Sequence, residues 1–250
     1  MEQIPTWIKP FDKIFEQLTY RWDHLQIFDD FLSIAVSNFQ LVPTEGLAER
    51  MRKTYNEQEL KLFAELFHTW VMCTHDAIAS DDWIYKDLLG NYYQYLSGKY
   101  HKSKLGQFFT PEHLVDCMAA MVIDDETDKV QTVSDPCAGS GRMLLSAHMR
   151  LKGKMLAYAE DLDGMCCKIC VLNFLIHGLE GEVIHHDALR ANHWIQGWKV
   201  NAYRKYAVFN IQPISQGESD VMRYRDAEAI KPPEPATLFN QATEEPVIFF

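Results

Sequence analysis

The sequence predicts an α/β protein in two parts. An α-helical N-terminal domain is expected over residues 1–104, and a doubly wound domain with a parallel sheet over residues 105–250, shortened at its C-terminus. Three observations predict it. A short β-type run, Val130-Gln131-Thr132-Val133-Ser134, leads into Asp135-Pro136-Cys137-Ala138-Gly139-Ser140-Gly141 and then into a helical pattern, with Leu144, Ala147 and Leu151 at i, i+3 and i+7. Strand-like and helix-like stretches alternate from there to about residue 210, the pattern of a parallel sheet. The first hundred residues carry helical stripes and no strand signal.

Phe11, Phe15, Leu18, Trp22 and Leu25 fall on one helical stripe. Pro43-Thr44-Glu45-Gly46 marks a break. Asn56 followed by Glu59 forms a capping box, and Leu60, Phe63, Ala64, Phe67 and Val71 make the apolar face of the helix it starts. A further helix is expected over residues 83–96. Pro111 suits a helix N-terminus, with Val115, Met118, Ala119 and Val122 as the apolar face. Gly153 can end the helix after the glycine turn. A second strand, 155–159, ends in Glu160-Asp161-Leu162-Asp163, and Asp163 caps a helix running to about His177, stopped by Gly178. A third strand, 182–185, leads to His186-Asp187-Ala188-Leu189. A fourth, 206–209, leads to Asn210. Beyond it the pattern fades: residues 216–226 are polar, Lys231-Pro232-Pro233-Glu234-Pro235 resists regular structure, and Pro246-Val247-Ile248-Phe249-Phe250 reads as a terminal strand.

Composition narrows the function. No run is apolar enough to span a bilayer, and the N-terminus lacks the layout of a signal peptide, so a cytoplasmic protein with no membrane partner is expected. Among the six cysteines, Cys166, Cys167 and Cys170 share one helical pattern. Adjacent ligands on a buried helix suit tetrahedral zinc poorly, so no metal is expected there. The formal charge of −11 opposes DNA binding, because phosphate neutralisation needs Lys and Arg. The one dense basic cluster in the sequence is Lys99-Tyr100-His101-Lys102-Ser103-Lys104. Any DNA binding by the isolated chain is therefore expected to be weak, with a partner supplying most of the grip.

The glycine turn carries the chemistry. Glycines admit a ligand where a Cβ would collide, and the following helix N-terminus offers free N–H groups. Asp135 adds a carboxylate at the strand end. That suits a cationic amine better than a pyrophosphate, which points to the amino-acid end of S-adenosylmethionine. A NAD-dependent dehydrogenase is the rival reading, but Leu144 stands where a third glycine of the dinucleotide pattern is expected.

Upstream lies Gly106-Gln107-Phe108-Phe109-Thr110-Pro111. Taken with the 135–141 turn, it resembles the N6-adenine DNA methyltransferases, specifically the methylation (M) subunit of type I restriction-modification systems. The resemblance runs from about Asp87 to about Asn210. It implies a Rossmann-like domain that binds S-adenosyl-L-methionine through Phe108, Phe109, Thr110, Asp135, Cys137, Ala138, Gly139 and Gly141. It further implies Asp161 with Leu162 at the ribose, and Asp187 with Ala188 at the adenine. The implied reaction is methyl transfer to adenine N6 in DNA, with no metal and with a specificity or sister subunit as partner.

In that family an Asn or Asp, two prolines and an aromatic end the fourth strand. The amide and a proline carbonyl orient the target amine, and the aromatic stacks on the flipped-out base. This chain has Asn210-Ile211-Gln212-Pro213-Ile214-Ser215, which keeps the amide and one proline and lacks the aromatic. Asn210 and Pro213 are the catalytic candidates. A base–aromatic stack is worth about 1–3 kcal/mol, so its loss leaves a second reading beside the enzyme: a non-catalytic S-adenosylmethionine-binding or partner-binding module derived from one.

Overall fold

The computed structural model describes residues 4–80, 85–100, 109–124, 126, 128–190, 193–230 and 247–249. Helices come first. The stripe that reads as one helix is two, α1 (Lys9–Leu18) and α2 (His24–Asn38). Asp23 divides them: its carboxylate accepts from the N–H groups of Leu25 at 2.9 Å and Gln26 at 3.1 Å and so caps α2. Trp22 is left in the turn, donating to Glu59 at 3.0 Å. After Gly46, held at φ +71°, comes α3 (Leu47–Thr54). The capping box opens α4 (Glu57–Ala79) as expected, with Glu59 N–H on Asn56 at 2.9 Å and Asn56 N–H on Glu59 at 2.8 Å.

The next helix, α5 (Leu88–Tyr100), lies further along the chain than the expected 83–96, and residues 81–84 are outside those described. Asp87 sets its start by accepting from Gly90 N–H at 2.7 Å. Pro111 precedes α6 (Glu112–Val122). Its buried face is narrower than expected: Val115 and Ala119 are buried, whereas Met118 and Val122 are nearly half exposed.

The central sheet follows. Its parallel heart is β1 (Gln131–Asp135), β2 (Met155–Asp161) and β3 (Gly181–His185), joined by α7 (Arg142–Arg150) and α8 (Gly164–Ile176). Gly153 (φ +80°) and Gly178 (φ +66°) end the two helices, and the Asp163 carboxylate caps α8 at 2.8 Å from Met165 N–H. The two strand-connecting helices pack on this sheet, and α2 packs in turn on α8, where Lys168 Nζ meets Asp29 at 2.7 Å. One apolar core therefore runs from Ile8 through the sheet to Ile211.

Beyond β3 the sheet departs from the expectation. It is mixed: β4 (Gln196–Val200) runs antiparallel to β3, and β5 (Ile211–Ile214) antiparallel to β4. The expected strand at 206–209 is absent. Residues 204–206 form a 3-10 turn, and Val208 and Phe209 are about half exposed. The real strand, Gln196-Gly197-Trp198-Lys199-Val200, alternates for only five residues, with Trp198 and Val200 buried. The faded region contains α9 (Asp220–Ile230), whose first N–H groups are received by Glu182 of β3. Finally β6 (Val247–Phe249) pairs parallel with the free side of β1, giving the order β5-β4-β3-β2-β1-β6. Strand order thus reverses at β1, which places a crevice at the carboxyl ends of β1 and β6. Among the described residues, no helix is long and apolar enough to cross a membrane.

Candidate functional site

The turn after β1 is built for close approach. Gly139 at φ +55° and Gly141 at φ +85° occupy the left-handed region that a Cβ disfavours. A Cβ on Gly141 would stand 2.8 Å from Cys170 Sγ of α8, and one on Gly139 would stand 3.0 Å from the Phe109 ring. Asp161 clamps the turn to β2: one carboxylate oxygen accepts Gly139 N–H at 2.8 Å and the other accepts Asp163 N–H at 2.8 Å. Ala138 N–H adds a bond to Glu160 C=O at 2.9 Å.

Asp135 lies at the mouth of this turn, 5% exposed, and accepts Cys137 N–H at 3.0 Å. Burial pushes its carboxyl up to about 6; the Cys137 bond opposes the shift, and the charges of Asp161 and Glu160 reinforce it. Burial likewise raises Asp161, against the backbone bonds it accepts. Glu160 is paired with Arg225, whereas Asp135 and the half-buried Asp161 have no cation among their described contacts, an electrostatic cost that a ligand ammonium would relieve.

The other expected residues divide cleanly. Phe109 packs tilted against Tyr93, centroids 5.9 Å apart, and lies under the Arg142 guanidinium at 5.1 Å, so the aromatic element does meet the turn. Thr110 C=O accepts from Arg142 at 3.4 Å. Phe108 lies outside the described residues. Cys137 is exposed, and burial with the nearby Asp135 charge raises its thiol. Leu162 turns an apolar side chain outward, 58% exposed, beside Asp161. Asp187 follows His186, whose N–H reaches Asp161 C=O at 3.0 Å, so it stands at the same end of the sheet. Its carboxylate accepts Leu189 N–H at 3.0 Å and pairs with Arg190 at 3.1 Å. Ala188 C=O accepts from Arg225 at 2.8 Å.

Asn210 and Pro213 are not brought to this site, which corrects their placement. Because β4 turns the chain back, Asn210 sits before β5, level with Asn201 and the start of β3, at the opposite end of the sheet. It is 2% exposed, its C=O accepts Asn201 N–H at 2.8 Å, and neither amide atom of its side chain has a partner among the described residues. Pro213 is exposed and pairs with Trp198 across β4–β5.

The group that holds the turn from beneath stands at the start of the stretch that carries the resemblance, with no role assigned to it from the sequence. Asp87, fully buried, accepts Arg142 Nε at 2.7 Å, Ser140 Oγ at 2.6 Å and Asn173 Nδ2 at 2.8 Å. Arg142 also donates to Asn91 Oδ1 at 2.6 Å. Burial works against the charge of Asp87, but Arg142 and the hydrogen bonds outweigh it and hold the carboxyl below its ordinary value. One carboxylate thus ties α5, the glycine turn, α7 and α8 together. One signal points to it: Arg142 precedes the apolar run Met143-Leu144-Leu145, and a buried guanidinium requires an acid.

A strand, a doubly left-handed glycine turn and a helix define a class of nucleotide-type binding folds. Within it, the family model described as N-6 DNA Methylase matches residues 84–238, and the chain belongs to that family. The type I restriction enzyme MjaIX methylase subunit of Methanocaldococcus jannaschii is 30% identical over 112 residues, 41% of this chain and 19% of that protein. The MjaVII methylase subunit of the same organism is 26% identical over 102 residues, 38% of this chain and 17% of that protein. The matches therefore span less than a fifth of these curated relatives. The crystal structure of the type I restriction-modification system methyltransferase subunit from Streptococcus thermophilus aligns with 71% of this chain and 57% of its own, at 16% identity and a TM-score of 0.38.

Proposed function

We propose that the protein binds S-adenosylmethionine at the carboxyl ends of β1, β2 and β3. We further propose that it serves as the methylation component of a cytoplasmic type I restriction-modification system, directed at adenine N6 in DNA together with a specificity subunit. One observation carries the cofactor reading: the buried carboxylate of Asp135 at the mouth of a doubly left-handed glycine turn. Asp135 would receive the cofactor ammonium. Asp161 keeps lone pairs for the ribose hydroxyls while it holds the turn, and Leu162 offers an apolar surface to the adenine, with Asp187 beyond it.

Cys137 provides a direct test. S-adenosylmethionine should slow maleimide labelling of Cys137 by about tenfold or more, leaving Cys117 unchanged, as read by mass spectrometry of labelled peptides. Asp161→Ala should remove this protection. Equal labelling of Cys137 with and without cofactor would place the ligand elsewhere.

The placement of Asn210 favours a second reading, a cofactor-binding module that does not itself orient the target base. The carboxyl end of β6 stands level with that of β1, Phe249 beside Ser134. A group orienting an amine at the cofactor could then follow β6 or come from a partner. On either reading, Asn210→Ala should leave cofactor affinity and any tritiated methyl transfer to unmethylated DNA unchanged. Loss of transfer with intact folding would return Asn210 to the reaction.

A further inference from the structure

We propose that the end of the sheet opposite the cofactor site is a binding surface for a single-stranded nucleic acid, formed by Lys152, Arg204 and Lys205 with the rings of Tyr203, Tyr206 and Phe209. Five of these six residues lie in one stretch, Tyr203–Phe209, and the fold brings Lys152 to them. The loop after α7 (Lys152, Gly153, Lys154) meets the β4–β5 loop (201–210) where Arg204 donates to Gly153 C=O at 3.3 Å. Both loops lie at the amino ends of the parallel strands, since Gln131 N–H bonds Lys154 C=O and Asn201 follows the residue paired with Gly181. The surface is one strand length from Asp135, roughly 15 Å at ~3.3 Å per residue.

Its charge is opposite to that of the chain. The protein carries −11 overall, and Asp135, Asp161 and Asp163 gather at the other end of the sheet. Here Asp128 pairs with Lys154 at 2.8 Å and also lies within the field of Lys152, and Glu180 stands before β3. Lys152, Arg204 and Lys205 have no carboxylate at ion-pair distance among the described residues. Cations in excess of the neighbouring carboxylates attract a polyanion.

The rings supply the second half. Tyr206 is 66% exposed with Lys205 over its face at 5.0 Å, and Tyr203 and Phe209 are about half exposed. The loop that displays them is anchored rather than loose. Asn201, at φ +57°, donates its amide to Phe174 C=O at 2.9 Å and Leu179 C=O at 3.0 Å, and the Phe209 ring lies against Gly178. Exposed rings interleaved with cations on a fixed loop suit unpaired bases, which stack on any π-face while the phosphates meet the cations.

The test is fluorescence anisotropy of a labelled single-stranded oligothymidylate, titrated against the whole chain over a series of salt concentrations without cofactor. Lys152→Gln with Lys205→Gln should reduce the slope of log K against log salt by about 0.7 for each phosphate no longer neutralised. Tyr203→Ala with Tyr206→Ala should weaken binding at least about fivefold with the slope unchanged. None of these four side chains is buried, and the melting temperature of each variant checks the fold. S-adenosylmethionine affinity should be the same in all of them, so failure here is separate from failure of the cofactor reading. Absence of oligothymidylate binding at low salt overturns the proposal. So does equal binding by wild type and both double variants, and so does a reduced slope without any effect of the tyrosines, which would mark a mere polyanion surface.

Discussion

Asp87→Ala should lower the unfolding free energy by about 3–5 kcal/mol, because it leaves the Arg142 guanidinium buried without its counter-charge. The effect goes beyond the ion pair. Ser140, Asn173 and the Gly90 N–H each lose an acceptor; Ser140 lies in the glycine turn, and Asn173 also holds the Ser140 C=O. Urea denaturation measures the loss, and Asp87→Leu combined with Arg142→Met separates causes: it removes both charges and should recover much of the deficit. Acid should show the same dependence. The folded carboxyl lies below its ordinary value, so its contribution is present above the ordinary carboxylate range and is lost as pH falls through the folded value. A loss of less than about 1 kcal/mol in Asp87→Ala would mean that the guanidinium finds water or another acid.

Asp135→Asn should act in the opposite direction. The folded carboxyl titrates near 6 against an ordinary 3.8, so the folded state holds the proton more tightly than the unfolded chain does. Stability contributed by this group therefore falls as pH rises from about 4 to about 6, by about 3 kcal/mol in all. Asparagine keeps an acceptor for Cys137 N–H and removes the charge. The variant should be more stable than wild type above about pH 7 and no different below about pH 4. Its affinity for S-adenosylmethionine should fall by about 100-fold or more, since the ligand ammonium loses its counter-charge. A gain in stability coupled to a loss of binding marks a charge kept for a ligand. Destabilisation of Asp135→Asn at pH ~8 would show that the carboxylate is already satisfied within the protein.

What the sequence revealed followed from local rules. The turn at 135–141, the capping box at Asn56 and Glu59 and the α8 cap at Asp163 each depend on residues a few positions apart, and each stands where the chain pattern put it. Phe109 reached the turn because the resemblance linked two segments that local pattern could not. The failures were of direction and distance. Ala207-Val208-Phe209 has the composition of a strand, yet Asn201 and Ala207 adopt left-handed backbone and make the segment a surface loop. That single reversal moved Asn210 to the far end of the sheet. Asp87 escaped for the complementary reason: its partners lie on three other elements, and no window of sequence contains them.

The pairing of β6 with β1 has a consequence for how the molecule is made. Synthesis runs from the N-terminus, so β1 to β5 emerge and can form their ladders while β1 still has a free edge. The strand that closes that edge arrives after every other described element, and it must travel the width of the sheet, from beside β5 to beside β1. Contacts between such distant parts of a chain form slowly, because closing the intervening loop costs entropy before any pairing offsets it. During that interval the nascent protein has its glycine turn but only one wall of the crevice. A molecule that competes for the edge of β1 would therefore meet the chain before β6 has closed that edge.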